Sequence, residues 1–154
     1  MLRSYFLLGF ALTVIACSPA RPSRIGGSGP EDLLLQTYTY GLDLAKDDGG
    51  SLRPCVAFER GRESADPPAV VLAALRERDS RLLSHSQCQG MFRDLSSVHD
   101  TVLIAANLDS MATSPPRVGL RTWRSGLWGA WYLCSVRQTD SGSDLGRCKL
   151  VRMS

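Results

Sequence analysis

Beyond residue 29, the apolar positions of the first half of the chain repeat with the period of an α-helix. A first helix is predicted to begin near Pro30 and to end in the Asp- and Gly-rich residues 47–50, with one apolar face made of Leu34, Leu35, Tyr38, Leu42 and Ala45. Residues 38–40 (Tyr-Thr-Tyr) favour a strand and compete with its second half. A second helix is predicted to follow Asp66 as its cap, to carry Pro67 and Pro68 in its first turn and to end near Asp79.

The remaining segments have the shorter, alternating pattern of β-strands. Residues 52–59 form one predicted strand between the helices, and residues 81–97 form a predicted loop. Four later strands are predicted at residues 101–108, 118–124, 127–138 and 145–153, with residues 139–144 as the turn before the last one. The predicted class is α+β, with two N-terminal helices and a short strand packed on a C-terminal antiparallel β-meander and stapled by disulfides.

The start of the chain has the pattern of an export signal. Arg3 precedes an uncharged apolar run of 12 residues, 5–16, whereas a membrane-spanning helix needs roughly 20 apolar residues. The run ends in Val14-Ile15-Ala16-Cys17, which resembles the lipobox of bacterial lipoproteins. This resemblance implies cleavage before Cys17, diacylglycerol on its thiol and acylation of the new amino group.

The resemblance divides the chain into a signal peptide at residues 1–16, a lipidated flexible tether at residues 17–29 and a single α+β domain at residues 30–154. It implies a cell-envelope protein whose acylated Cys17 binds the lipid bilayer. Ser18 stands where an Asp would retain many enterobacterial lipoproteins in the inner membrane, so an outer membrane location facing the periplasm is favoured. The alternative is an ordinary secreted protein that is cut later, with Cys17 incidental.

Four further cysteines, Cys55, Cys88, Cys134 and Cys148, form an even set in an exported protein and favour two disulfides. Three pairings are formally possible. Placing Cys134 opposite Cys148 centres the last hairpin inside its predicted turn. Opposed residues on a sheet come close enough for a disulfide, so we predict Cys134–Cys148 and, with it, Cys55–Cys88.

The same register makes two further predictions for the hairpin. Tyr132 should face Leu150, and Val136 should face Gly146, on the same side of the sheet.

Charge and motif content limit the possible functions. The chain has 18 Lys and Arg against 15 Asp and Glu, a net charge of +3 that is too balanced to predict nucleic-acid binding. The glycines of residues 26–29 follow no strand and lack the Lys-Ser/Thr ending of a phosphate-binding loop, so no cofactor is predicted.

Catalytic and metal sites have little support in the sequence. Four side chains could belong to a hydrolytic site, namely Ser84, His85, His99 and Asp100. They lack the Gly-x-Ser-x-Gly turn, so no catalytic residue is predicted. A metal site is the competing interpretation of Cys55, Cys88 and the two histidines, but the short paired spacing of zinc ligands does not repeat, so no metal ligand is predicted.

An aromatic and basic cluster is the strongest candidate for a binding surface. Trp123, Trp128 and Trp131 lie within nine positions, together with Arg121 and Arg124. Exposed Trp and Arg dominate binding hot spots, and Trp also stacks on sugars, whereas the alternative role is packing in the core.

The part after the tether also resembles small envelope lipoproteins of unknown function. The shared features are Cys55, Asp66-Pro67-Pro68, Ser86-Gln87-Cys88 and Gly129-Ala130-Trp131-Tyr132. We therefore expect a membrane-anchored, non-enzymatic binding or structural module whose partner is an envelope protein or peptidoglycan. The alternative, by analogy of fold alone, is a small-molecule-binding or enzymatic pocket of nuclear transport factor 2-like shape.

Overall fold

The structure is a computed structural model that describes residues 29–47, 52–90, 100–124, 128–140 and 142–153, without the side chains of Asp47 and Trp128. The predicted signal peptide, residues 17–28 of the predicted tether, and His99 lie outside these residues. The helices are α1 (Pro30–Asp47), α2 (Ala69–Arg78), the short α3 (His85–Cys88) and a 3₁₀ helix (Asp109–Ala112). The strands are β1 (Arg53–Arg60), β2 (Glu63–Ala65), β3 (Leu83–Ser84), β4 (Thr101–Asn107), β5 (Arg117–Arg124), β6 (Trp128–Thr139) and β7 (Gly142–Met153).

All seven strands belong to one sheet, in the order β2-β1-β4-β5-β6-β7, with β3 paired beside β1. β4 to β7 form the predicted antiparallel meander. The α+β class is therefore confirmed, but the arrangement differs from the prediction. β1 does not pack on the meander; it extends the sheet by pairing in parallel with β4. A parallel pair needs a crossover, and the chain between β1 and β4 supplies it through α2.

The first helix agrees with its prediction, including the β-prone residues. Tyr38 lies in the middle of α1 and is completely buried against the sheet. Its hydroxyl donates a 2.7 Å hydrogen bond to the carbonyl oxygen of Ala57. Burial of this ring on the sheet therefore outweighs the local strand preference of residues 38–40.

Two predictions around the second helix were wrong. α2 follows Pro68 without any side-chain cap, so Asp66 does not cap it. Residues 83–88 are not a loop, because Leu83 and Ser84 pair in parallel with Cys55 and Val56 and the chain then enters α3. The Asp66 carboxylate instead accepts hydrogen bonds of 2.7 Å from the backbone N–H and the hydroxyl of Ser86, so it holds the start of α3.

The main hydrophobic core lies between the helices and one face of the sheet, which we call the helix face. α1 and α2 contribute Leu34, Tyr38, Leu42, Val71 and Leu75. The strands contribute Val56, Val102, Ile104, Ala106 and Leu120. Each large side chain buried in this way stabilises the fold by about 1.5–3 kcal/mol.

A second, smaller core covers the opposite face, but only over β1 and β4. It consists of Cys55, Ala57, Leu103 and Ala105, with Cys88 of α3 packed on top of them. β4 is consequently buried on both faces from Thr101 to Ala106. No described helix covers the same face of β5, β6 and β7, which we call the open face.

Both predicted disulfides are confirmed. Cys55–Cys88 joins β1 to α3, with a Cα–Cα distance of 6.3 Å. Cys134–Cys148 crosses the β6–β7 hairpin, where the two residues oppose each other. Cys55, Cys88 and Cys134 are fully buried, as expected for disulfides that contribute to stability.

The hairpin register is confirmed at Tyr132, which faces Leu150, but was wrong nearer the turn. Val136 faces Leu145 and not Gly146, because β7 contains an extra residue between this pair and Cys148. Gly146 fits that irregularity because a Cβ there would lie 2.5 Å from the Ser135 hydroxyl. The strands continue to Thr139 and Gly142, so the turn is also shorter than predicted.

The two disulfides should contribute unequally to stability. Cys55–Cys88 closes a sequence separation of 33 residues, and Cys134–Cys148 closes one of 14. From the entropy of loop closure, we expect the double change Cys55→Ala/Cys88→Ala to lower the free energy of unfolding by about 4 kcal/mol, and Cys134→Ala/Cys148→Ala by about 3 kcal/mol. Urea denaturation measures both, and the reverse ranking would contradict this account.

Gly41 is a close-contact position between α1 and the sheet. A Cβ at Gly41 would lie 2.5 Å from Cγ2 of Ile104 and 3.2 Å from Cδ1 of Leu120. We expect Gly41→Ala to destabilise the protein by about 1–3 kcal/mol, because α1 must move away from the sheet. Gly90→Ala is the matched control, since nothing lies within 4 Å of its Cβ position. Equal urea midpoints for the two variants would show that α1 does not approach the sheet this closely.

Candidate interaction surface

Strand register sorts the predicted aromatic and basic cluster between the two faces of the sheet. Leu120 of β5 belongs to the main core on the helix face, and side chains along a strand alternate between the two faces of the sheet. Arg121 and Trp123 are an odd number of residues from Leu120, so they lie on the open face. Arg124 is an even number of residues from Leu120 and lies with it on the helix face. The five predicted surface residues therefore do not form one patch.

Arg121 makes two side-chain contacts on the open face. Its guanidinium forms an ion pair with Glu59 of β1 and lies 5.9 Å from the centre of the Trp123 ring. The Arg121 side chain is 28% exposed and that of Glu59 is 18% exposed, so water screens the pair only partly. These contacts hold Arg121 beside an indole that is itself 42% exposed.

A second guanidinium–indole pair lies on the neighbouring strands. Trp131 of β6 opposes Arg121 on one side and Arg152 of β7 on the other. The Arg152 guanidinium lies 5.6 Å from the centre of the Trp131 ring. Cation–π contacts of this kind contribute about 0.5–1 kcal/mol at exposed sites. Arginine and tryptophan thus alternate across three adjacent strands.

The structure brings Arg121, Trp123 and Trp131 together and separates Arg124 from them. Arg124 donates a 3.4 Å hydrogen bond to the carbonyl oxygen of Ala45 in α1, on the helix face. Trp128 is paired with Arg124 in the β5–β6 register, and its side chain lies outside the described residues. Alternation along β5 therefore turns Arg124 toward α1 and away from the open face.

Sequence reasoning missed the basic residues that complete this surface. Seven Arg and Lys residues lie in β5, β6 and β7. Apart from Arg124, all are placed on the open face by the register, namely Arg117, Arg121, Arg137, Arg147, Lys149 and Arg152. The alternation of side chains between the two faces was the signal that could have found them. An extra residue in β7 shifts this alternation at two places, so counting along the sequence gives the wrong face.

Other candidate clusters have structural roles in the described part of the chain. Ser84 and Gln87 form a reciprocal capping box at the start of α3, and Asp66 binds Ser86 there. Burial on its own would raise the pKa of the Asp66 carboxyl, but hydrogen bonds from Ser86 and Ser84 lower it overall. Cys55 and Cys88, the thiols of the competing metal interpretation, are joined to each other.

Two further properties concern the described residues alone. They contain no group of three or more His, Cys, Asp or Glu side chains placed to hold a metal ion. None of their helices is both long enough and apolar enough to cross a membrane.

Comparison with known proteins gave no relatives. No protein-family model matches the chain, and neither curated proteins nor solved structures gave a match.

The Arg121–Glu59 pair should couple β1 to the open face. Removal of one partner leaves a half-buried charge without its counterion, whereas removal of both does not. We expect a coupling free energy of about 1–2 kcal/mol from the double-mutant cycle of Arg121→Gln and Glu59→Gln, measured by urea denaturation.

The exposed pair Lys46–Asp43 provides the control for this cycle, since both side chains are more than half exposed. Its coupling should be no more than about 0.5 kcal/mol. Equal coupling in the two pairs would mean that burial of Arg121 and Glu59 adds nothing.

Proposed function

We propose that this protein is a lipid-anchored, non-enzymatic binding module of the bacterial cell envelope. Two features support the location. The sequence Val14-Ile15-Ala16-Cys17 has the pattern of a lipoprotein cleavage and acylation site. Both disulfides suit an oxidising compartment such as the periplasm, because thiols in the cytosol are kept reduced.

The tether length is compatible with this anchoring. Eleven residues separate Cys17 from Gly29, where the described domain starts. A flexible segment of that length has a root-mean-square end-to-end distance of about 20 Å. The domain would therefore stay close to the bilayer while keeping freedom to rotate against it.

The exposure of Trp and Arg side chains on the open face is the observation that supports a binding role. Its sheet already buries a complete core on the helix face, so Trp123 and its neighbours on the open face are not needed to complete that core. Exposed Trp and Arg held in fixed geometry are typical of interaction surfaces, because little side-chain entropy is lost on binding. Arg121, Trp123 and Trp131 are the residues to which we assign this role.

The alternative of a ligand pocket between helices and sheet has less support. One cavity lies between the end of α1 and the sheet, beside Leu42, Pro54 and Val102, and its volume is only about 10 Å³. Drug-sized ligands occupy pockets of about 300–1,000 Å³. A groove of about 430 Å³ beside Gln36 and Tyr40 is large enough, but it is open to solvent along the side of α1.

Intact mass spectrometry of the membrane-extracted protein tests the anchoring. We expect a chain that begins at Cys17 and carries acyl groups, with four thiols that become available only after reduction. Cys17→Ala should abolish acylation, and high salt should then release the domain into the soluble fraction, without a change in its circular dichroism spectrum. Ser18→Ala, a control change beside the modified residue, should leave the acylation intact. An unacylated product cut at another site, or four thiols free before reduction, would refute the proposal.

A further inference from the structure

The open face carries a larger excess of basic over acidic residues than the composition of the whole chain suggests. Six basic residues of β5, β6 and β7 lie there, and two acidic residues accompany them, Glu59 and Asp144. Glu59 is paired with Arg121, and Asp144 lies opposite Arg137 in the register. The nearly neutral composition of the chain therefore conceals a basic surface on one side of the fold.

The positive charge concentrates along β7, which is the edge strand of the sheet. Arg147, Lys149 and Arg152 are exposed, and no ion pair between described residues involves them. Lys149 and Arg152 oppose Leu133 and Trp131 of β6, and Arg147 lies beside Ser135 at the β7 irregularity. The three charges thus form a row along one margin of the open face.

The guanidinium–indole pairs favour an anionic partner over a sugar. Arg121 and Arg152 lie over the rings of Trp123 and Trp131, and they occupy ring surface on which a sugar would stack. The Arg152 guanidinium, which is in no ion pair between described residues, keeps its N–H groups oriented for binding to phosphate or carboxylate oxygens, whereas that of Arg121 is paired with Glu59. The chemistry presented outward is therefore that of an anion-binding surface.

An exposed indole on the open face favours a lipid surface among the possible anions. Trp123 is 42% exposed, and the register places it on the same face as Lys149 and Arg152. Leu150 and Met153 are also exposed, but they oppose Tyr132 and Ala130 and so lie on the helix face. The interface of a bilayer accepts basic groups and tryptophan together.

From these observations we propose that the open face and the β7 edge dock onto the anionic surface of a phospholipid bilayer. This inference rests on the proposed function in one respect, because the Cys17 anchor would hold the domain near a bilayer. Phosphate oxygens of the headgroups would bind Arg147, Lys149 and Arg152, while the exposed indole of Trp123 enters the interfacial layer. The domain would then lie on the membrane with α1 and α2 directed away from it.

The test measures contact between the indoles and lipid. Membrane association alone is not sufficient evidence, because the N-terminal segment could produce association by itself. The full chain is added to vesicles of phosphatidylcholine alone, or of phosphatidylcholine with phosphatidylglycerol, each containing brominated acyl chains that quench tryptophan. We expect strong quenching only in the anionic vesicles, and its loss at high salt. Titration with lipid gives the partition coefficient of the docked state.

A charge-neutralised variant and a matched control identify the surface. The triple change Arg147→Gln/Lys149→Gln/Arg152→Gln should lower the partition coefficient about a hundredfold, because each basic residue contributes about fivefold near an anionic surface. The control removes three exposed charges from other parts of the fold, with Lys46→Gln/Arg62→Gln/Arg78→Gln, and should change it less than threefold. Arg147→Lys/Arg152→Lys preserves the charge of the edge and should retain docking.

Three outcomes would overturn the docking proposal. The first is equal quenching in both kinds of vesicle. The second is an equal decrease of the partition coefficient in the triple variant and its control. The third is a partition coefficient of the triple variant as high as that of the unchanged chain. Binding of single-stranded DNA or peptidoglycan fragments in preference to anionic vesicles would also overturn it, in favour of a soluble polymer. The Cys17→Ala chain separates this proposal from the anchoring proposal, because it should keep salt-sensitive quenching in anionic vesicles.

Discussion

β1 and β4 pair in parallel along seven positions, from Arg53 opposite Thr101 to Glu59 opposite Asn107, and the other layers of the protein are arranged around this pair. A parallel pair is stable when both of its faces are covered. α1 and α2 cover one face, and α3 covers the other with the help of Cys55–Cys88. The disulfide is thus part of the cover, because it ties α3 to the strand that α3 protects.

The same constraint explains where the interaction surface lies. α3 has only four residues and its cover extends over β1 and β4, so β5, β6 and β7 are left with one solvated face, as antiparallel strands tolerate. Arg121 lies at the boundary between the two regions. Its ion pair with Glu59 connects the covered part of the sheet to the open part, and its contact with Trp123 begins the series of guanidinium–indole pairs. The candidate surface is therefore a direct consequence of how far the second core extends.

Local patterns were sufficient for those features that depend on nearby residues. The position of α1, the hairpin pairing of Tyr132 with Leu150 and the pairing of the four cysteines followed from periodicity, turn residues and elimination. Patterns failed where contacts from elsewhere in the chain decide the outcome. Asp66 binds Ser86, twenty residues away, and does not cap the helix that follows it. The extra residues in β7 have no sequence signature apart from Gly146, which tolerates close contact with Ser135.

The sequence by itself determined the α+β class, the disulfide pairs and the concentration of Trp and Arg in β5 and β6, because these depend on composition, period and short spacings. Only the tertiary structure decided that β1 joins the sheet in parallel with β4, since the energy of that pairing comes from burial beneath three separate helices. It also decided that Arg124 turns toward α1 while Arg152 reaches Trp131. The face on which a strand residue lies depends on every irregularity between it and the core, and cross-strand contacts alone determine those irregularities.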